Sequence, residues 1–199
     1  FEHEVKKAAA TVLNSGLPKR LQFNLTKDLG MCCGGLMEVF MEPIKMKREL
    51  VIYGAGHVGA ALAQLSVLLE FSVVMVDERT EWIDAEAVPA AVVKHLMCPL
   101  KAIDTLPFHN NSFHFISTHS HALDQDILAK IYNKPMRWLG MIGSVAKKNS
   151  FIKRFQMANI DIESQQKLHT PAGIDISAES PHEIAVSIIA QLIKVNNNE

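Results

Sequence analysis

The chain has 199 residues, 48% hydrophobic and 21% charged, which supplies a real core for one large domain or two smaller ones and excludes a disordered tail. A net charge of −1 gives no global attraction to nucleic acid or to an anionic membrane, leaving small molecules and proteins as the expected partners. Three cysteines do not make the even framework of a disulfide-stapled secreted protein, and no basic stretch followed by an apolar one opens the chain, so a reducing cytoplasm is the expected compartment.

In chain order, the spacing predicts a helix from about Glu2 to Asn14, a strand in "RLQFNL", a loop "GMCCGG", and a strand in "LMEVFMEP" ended by Pro43. With "IKMKRE" as a linker, residues 1–46 read as a small α+β unit and 47–199 as a second domain. Adjacent cysteines make poor disulfide partners, because a trans peptide holds their Cα atoms about 3.8 Å apart and bridges prefer roughly 4.4–6.8 Å. Cys32 and Cys33 therefore read as free thiols, and Gly34 and Gly35 leave nearby backbone N–H groups exposed, which favours the thiolate. Spacing alone leaves a functional thiol and an ordinary core cysteine both open, and Cys98 before Pro99 looks like a buried small residue.

Val51 to Leu69 carries no Asp, Glu, Lys or Arg and meets the crude length test for a membrane span. Its internal pattern points elsewhere, to no membrane span. "LVIY" is a β-rich run, "GAGHVG" follows at once, "AALAQLSVLLEF" has helical spacing, and "SVVMVD" is a second strand ending in an acid. This is the first βαβ of a dinucleotide-binding fold. Gly54 would permit the tight turn, Gly56 would let backbone approach a pyrophosphate, and Gly59 would let the helix pack on the sheet, with His57 inside the turn. Asp77, 18 residues after Gly59, stands where an acid would accept a ribose 2′-OH, with Arg79 two residues on.

Further strands are expected in Ala90–Met97, Ser112–Thr118 and Met136–Gly143, with helices in "LDQDILAKIY" and "SVAKKNSFIKRFQMA". The fold class is thus α/β, a Rossmann-like doubly wound parallel sheet preceded by the small α+β unit. Ser180, Pro181 and Glu183 form a capping box ahead of the last helix.

Two clusters fall at expected strand ends. In "THSHALD", His119 and His121 would face opposite sides if the strand continued, and Asp124 follows. Zinc would need a further ligand, so an acid–base role in a cleft or a plain polar loop are the readings left. In "GMIGSVAKK", Gly143, Ser144 at a helix start and Lys147 in its first turn make an anion cradle or an ordinary capped helix with a basic face.

The ordered set "LGMCCGGLMEVFMEP", "VIYGAGHVGAALAQLSVLLEFSVVMVDER", "STHSHALDQDIL", "WLGMIGSVAKK", "PAGIDI" and "SPHEIAVSIIAQLI" resembles the XdhC/CoxI family, the xanthine dehydrogenase accessory factors. The resemblance implies a protein that binds molybdenum cofactor (molybdopterin), protects it while a cysteine desulfurase supplies its sulfido ligand, and hands it to a xanthine dehydrogenase-type hydroxylase. It implies a chaperone without chemical turnover and a homodimer. By position, Cys32 and Cys33 match the family's cofactor-binding thiols, which would contact molybdenum. Gly54, Gly56, Gly59 and Asp77 match its Rossmann turn and acid; His119, His121, Gly143, Ser144 and Lys147 fall on its further motifs. NAD or another nucleotide could occupy the Gly54–Gly59 turn. The alternative from a different class is an NAD-dependent oxidoreductase acting on a small substrate, with His119 or His121 as general acid.

Overall fold

The computed structural model describes residues 1–24, 27, 35–43, 48–144, 149, 151 and 168–197. The chain divides into two compact units, Phe1–Met46 and Lys47–Glu199.

In the first unit, helix α1 (Glu2–Ser15) is closed by Gly16, whose φ of 63° lets its N–H reach back to the Val12 carbonyl at 3.0 Å. Strands β1 (Lys19–Asn24) and β2 (Leu36–Met41) pair antiparallel with Leu21 opposite Val39 and Phe23 opposite Met37. Phe23 and Val12 are buried, and the Phe1 ring meets Phe23 edge-on at 5.2 Å. Gly35, with φ of 125°, turns the chain into β2 in a conformation that disfavours a side chain. Cys32, Cys33 and Gly34 lie outside the described residues.

The second unit is a six-stranded parallel sheet in the order β5-β4-β3-β6-β7-β8. Its strands are β3 (Glu49–Tyr53), β4 (Ser72–Asp77), β5 (Val93–Leu96), β6 (Ser112–Ile116), β7 (Trp138–Met141) and β8 (Leu168–His169). Counted from β3, this is the 3-2-1-4-5-6 order of the Rossmann fold, with the direction of winding reversing between β3 and β6. Alternation along β3 divides the core. Leu50 and Ile52 face helices α2 (His57–Leu68) and α6 (Pro181–Asn197), alongside Phe113, Phe115 and Trp138. Val51 and Tyr53 face the opposite layer with Ile116, Leu139, Met141 and Ile127, Leu128 and Ile131 of α5 (His121–Ile131).

Several elements differ from the sequence expectation. The three predicted strands are shorter at both ends, or at the carboxyl end in β6, and β8 went unpredicted. One-turn helices α3 (Thr80–Ile83) and α4 (Pro99–Ala102), with a 3₁₀ turn at Ile103–Thr105, fill the β4–β6 connections. Strand β6 stops at Ile116, so His119 and His121 are not strand neighbours: Ser120 is the N-cap of α5, its Oγ accepting the Leu123 N–H at 3.4 Å, and His121 is the first helical residue. Cys98 is half-buried rather than enclosed. The expected helix after Ser144 falls almost wholly outside the described residues, as does Lys147. The capping box forms: Glu183 N–H donates to Ser180 Oγ at 3.3 Å and Glu183 Oε2 accepts the Ser180 N–H at 2.8 Å. Among the described residues no helix is long and apolar enough to cross a membrane.

Candidate functional site: the carboxyl edge of the sheet

The loops that leave the carboxyl ends of the strands are stitched to the sheet by backbone hydrogen bonds. Gly54 N–H donates to the Val76 carbonyl at 2.9 Å, Ser117 N–H to Tyr53 at 2.9 Å, and Ile142 N–H to Ile116 at 2.9 Å. The crevice between β3 and β6 is therefore closely drawn. At Gly54, with φ of 111°, a Cβ would overlap the Ser117 carbonyl; at Gly59 it would overlap the Gly54 carbonyl. Glycine is required at both positions for contact between backbones. Gly56, the N-cap of α2, is different: a Cβ there would meet nothing within 4 Å, and no side chain caps the helix start, whose first N–H groups have no intrahelical partner.

Asp77 sits beneath this turn, 3% exposed. Its Oδ2 accepts the Ala55 N–H at 2.7 Å and Arg79 Nη2 at 2.7 Å; its Oδ1 accepts the Arg79 N–H at 3.0 Å and Arg79 Nε at 2.9 Å. Burial by itself would push the carboxyl up, but the Arg79 guanidinium and the two backbone donors outweigh it and hold the group below the usual carboxylate range. The same pairing raises Arg79 above its ordinary value. All four contacts hold the glycine turn and Arg79 in place. The Arg79 guanidinium lies 5.0 Å above the Trp82 ring, and exposed His57 meets that ring edge-on at 5.1 Å. Sequence reasoning missed Trp82; an aromatic three residues after Arg79, on the first turn beyond the β4 acid, was the available signal.

Across the crevice, Asp124 is fully buried and organises the loop after β6: its Oδ1 accepts the Thr118 N–H at 2.9 Å and Thr118 Oγ1 at 2.7 Å. His121 is exposed, its Nδ1 3.8 Å from Asp124 Oδ2. A tight cleft at this point is lined by Gly54, Asp77, Thr118 and exposed His119, among others, which brings four of the sequence-selected positions or their neighbours together. Ser117 Oγ is buried here without a hydrogen-bond partner among the described residues. Gly143 and Ser144 stand elsewhere on the same edge, after β7; Gly143 lines a larger cleft of about 550 Å³ beside α6. Among the described residues no group of three or more His, Cys, Asp or Glu is arranged to hold a metal ion.

The strand order, the glycine turn and the acid at the end of β4 define a Rossmann-type domain. A model of the XdhC Rossmann domain matches residues 50–192, and the chain belongs to that family. Over 180 residues it is 33% identical to the uncharacterized protein YqeB of Escherichia coli (strain K12), covering 90% of this chain and 33% of that protein. Over 156 residues it is 26% identical to a probable xanthine dehydrogenase subunit of Bacillus subtilis (strain 168), covering 78% of this chain and 45% of that protein. The chain thus spans between a third and just under half of these curated relatives. Its fold is similar to that in the crystal structure of a xanthine dehydrogenase from Bacillus halodurans, with a TM-score of 0.69 and 18% identity, over 100% of this chain and 81% of that one.

Proposed function

We propose that this chain binds molybdenum cofactor, supports its sulfuration by a cysteine desulfurase, and delivers it to a xanthine dehydrogenase-type hydroxylase. The observation that carries the reading is membership of the XdhC family over residues 50–192, joined to the likeness to a probable component of xanthine dehydrogenase. The glycine turn supports the reading: a Cβ at Gly56 would meet nothing within 4 Å and no side chain caps α2, so its first backbone N–H groups could hold the cofactor's phosphate. Cys32 and Cys33 would supply soft thiolates to molybdenum, a donor chemistry suited to that metal and labile enough for release. The bound cofactor would bring the metal centre itself; the chain's part is to bind, shield and release it. His119, His121, Gly143 and Ser144 would line or flank the remaining carboxyl edge, and Lys147 belongs to the same reading through the family resemblance. A homodimer belongs to the same reading, because a two-stranded sheet such as β1-β2 has little stability by itself.

The experiment is transfer. The chain is loaded anaerobically with molybdenum cofactor and mixed with a cofactor-free xanthine dehydrogenase. Hydroxylase activity should appear with the loaded wild type and be lost with a Cys32→Ser, Cys33→Ser double variant. Activity gained equally from free cofactor and from both proteins would contradict the proposal. An NAD-dependent oxidoreductase remains the second reading, favoured by the Rossmann strand order; NAD bound tightly and reduced by a small substrate, with loss on His119→Ala, would carry it.

A further inference from the structure

The segment "PAGIDI", Pro171–Ile176, has no part in the crevice between β3 and β6. It leaves β8 and is pinned from below. Ala172 N–H donates to the Met141 carbonyl at 3.1 Å, Gly173 N–H to Gln191 Oε1 at 2.9 Å, and Ile174 N–H to the Ser187 carbonyl at 3.1 Å. Gly173 has φ of 101°, and a Cβ there would overlap Ser187 Oγ, so this close seat on α6 needs glycine. A loop fixed in this way nonetheless presents Ile174 and Ile176 to solvent, 39% and 44% exposed, on either side of Asp175.

Beneath it lies the cleft of about 550 Å³, within the range of about 300–1,000 Å³ typical of small-ligand sites. Its walls are chiefly aliphatic: Ile142 after β7, Ile184 and Ile188 of α6, and the two loop isoleucines. Asp175 is the one ionisable group among the described residues that line it. Its Oδ1 accepts the Ser177 N–H at 3.1 Å, and Oδ2 has no hydrogen-bond partner among the described residues. An ionised carboxylate offers acceptors alone, so it selects a ligand edge with adjacent donors. Aliphatic walls select a flat neutral ring over a charged group, because a desolvated charge is costly. Among heterocycles, the 2-amino-4-oxopyrimidine edge shared by pterins and guanine sets a ring N–H beside an exocyclic amine; adenine and cytosine set an acceptor beside theirs.

We propose that this cleft binds a 2-amino-4-oxopyrimidine ring, with Asp175 accepting from its ring N–H and exocyclic amine and the isoleucines covering its faces. The pterin source of that ring rests on the cofactor-binding reading above; a guanine nucleotide would be the other source.

The test is fluorescence titration of the whole chain with pterin, and competition by GMP, against Asp175→Asn and Ala178→Phe. The first variant keeps the acceptor for Ser177 N–H while removing the charge; the second fills the cleft from its rim. Pterin or GMP should bind the wild type and weaken about tenfold or more in both variants, the loss expected for a charge-assisted pair. Lumazine, which has an oxo group in place of the 2-amino group, and free arginine should not compete. Binding of pterin but not GMP assigns the cofactor, and the reverse assigns a nucleotide; either supports the site. No binding of either ligand to the wild type, or binding indifferent to both variants, overturns it. The two proposals fail separately. Asp175-dependent pterin binding without cofactor transfer leaves this site standing and removes the chaperone reading; transfer intact in Asp175→Asn, with no pterin binding, does the opposite.

Discussion

The crevice between β3 and β6 and the cleft beside α6 share one sheet edge and use their polar atoms in opposite ways. In the crevice, Asp77 is saturated by Ala55 and Arg79, and Asp124 Oδ1 accepts twice from Thr118, so the charged groups mostly hold backbone in place. In the cleft, Asp175 is the one carboxylate among the described lining residues, its Oδ2 has no hydrogen-bond partner among them, and the rest of that wall is chiefly hydrocarbon. A buried acid at the position expected for a ligand contact can thus be a brace, whereas an exposed one on a pinned loop is available for recognition. At the glycine turn, Gly54 and Gly59 are needed for contact between backbones, whereas a Cβ at Gly56 would meet nothing within 4 Å.

That contrast can be broken by substitution. Gly59→Val should have the largest effect, about 3 kcal/mol of stability lost in urea unfolding, because the new side chain meets the Gly54 backbone, which has no space to yield. Asp77→Ala should cost roughly 2–3 kcal/mol, somewhat below a fully buried pair because the Arg79 side chain is 24% exposed, and a double-mutant cycle with Arg79→Ala should recover part of it. If Asp77→Ala proves neutral, the brace does not exist.

Strand β6 runs between the two regions and carries His114, fully buried between Tyr53 Oη at 3.1 Å and Ser112 Oγ at 3.0 Å. Burial lowers its pKa to about 3, against an opposing hydrogen bond to the Pro107 backbone. The native ring stays neutral while the unfolded one takes up a proton below about 6.5, so its contribution is complete above that pH and is lost as pH falls toward 3. Unfolding free energy should drop by up to about 1.4 kcal/mol per pH unit below 6.5, and His114→Gln should flatten that slope. The smallest effect is expected at the start of α6: Ser180→Ala removes the side-chain cap and should cost about 1 kcal/mol in urea unfolding.

Much of this architecture was legible in the sequence, for definite reasons. The β3-turn-α2-β4 unit announces itself because period-2 and period-3.6 patterns abut at glycines whose spacing has one structural meaning, and the α6 cap because Ser180, Pro181 and Glu183 all bear on one helix start. Strand ends were less legible: "FIST" continues the β-rich pattern, but Thr118 bonds Asp124 and pulls the chain off the sheet two residues early. Neither the Ala55 bond to Asp77 nor the seat of "PAGIDI" on α6 has a local signature, since each depends on partners distant in sequence, Ala55 in one case and Gln191 and Ser187 in the other, whereas the Arg79 contacts of Asp77 come from two residues away. Cys32 and Cys33, the starting point of the functional reading, rest on their chemistry and on the family resemblance.

Their role is what the account most needs tested. The direct measurement is anaerobic equilibrium binding of molybdenum cofactor to the chain, to Cys32→Ser and to Cys33→Ser, each with and without excess NAD. The account predicts tight binding by the wild type, loss in at least one serine variant, and indifference to NAD. Binding that is absent, or unchanged in both variants while NAD binds tightly, would contradict it.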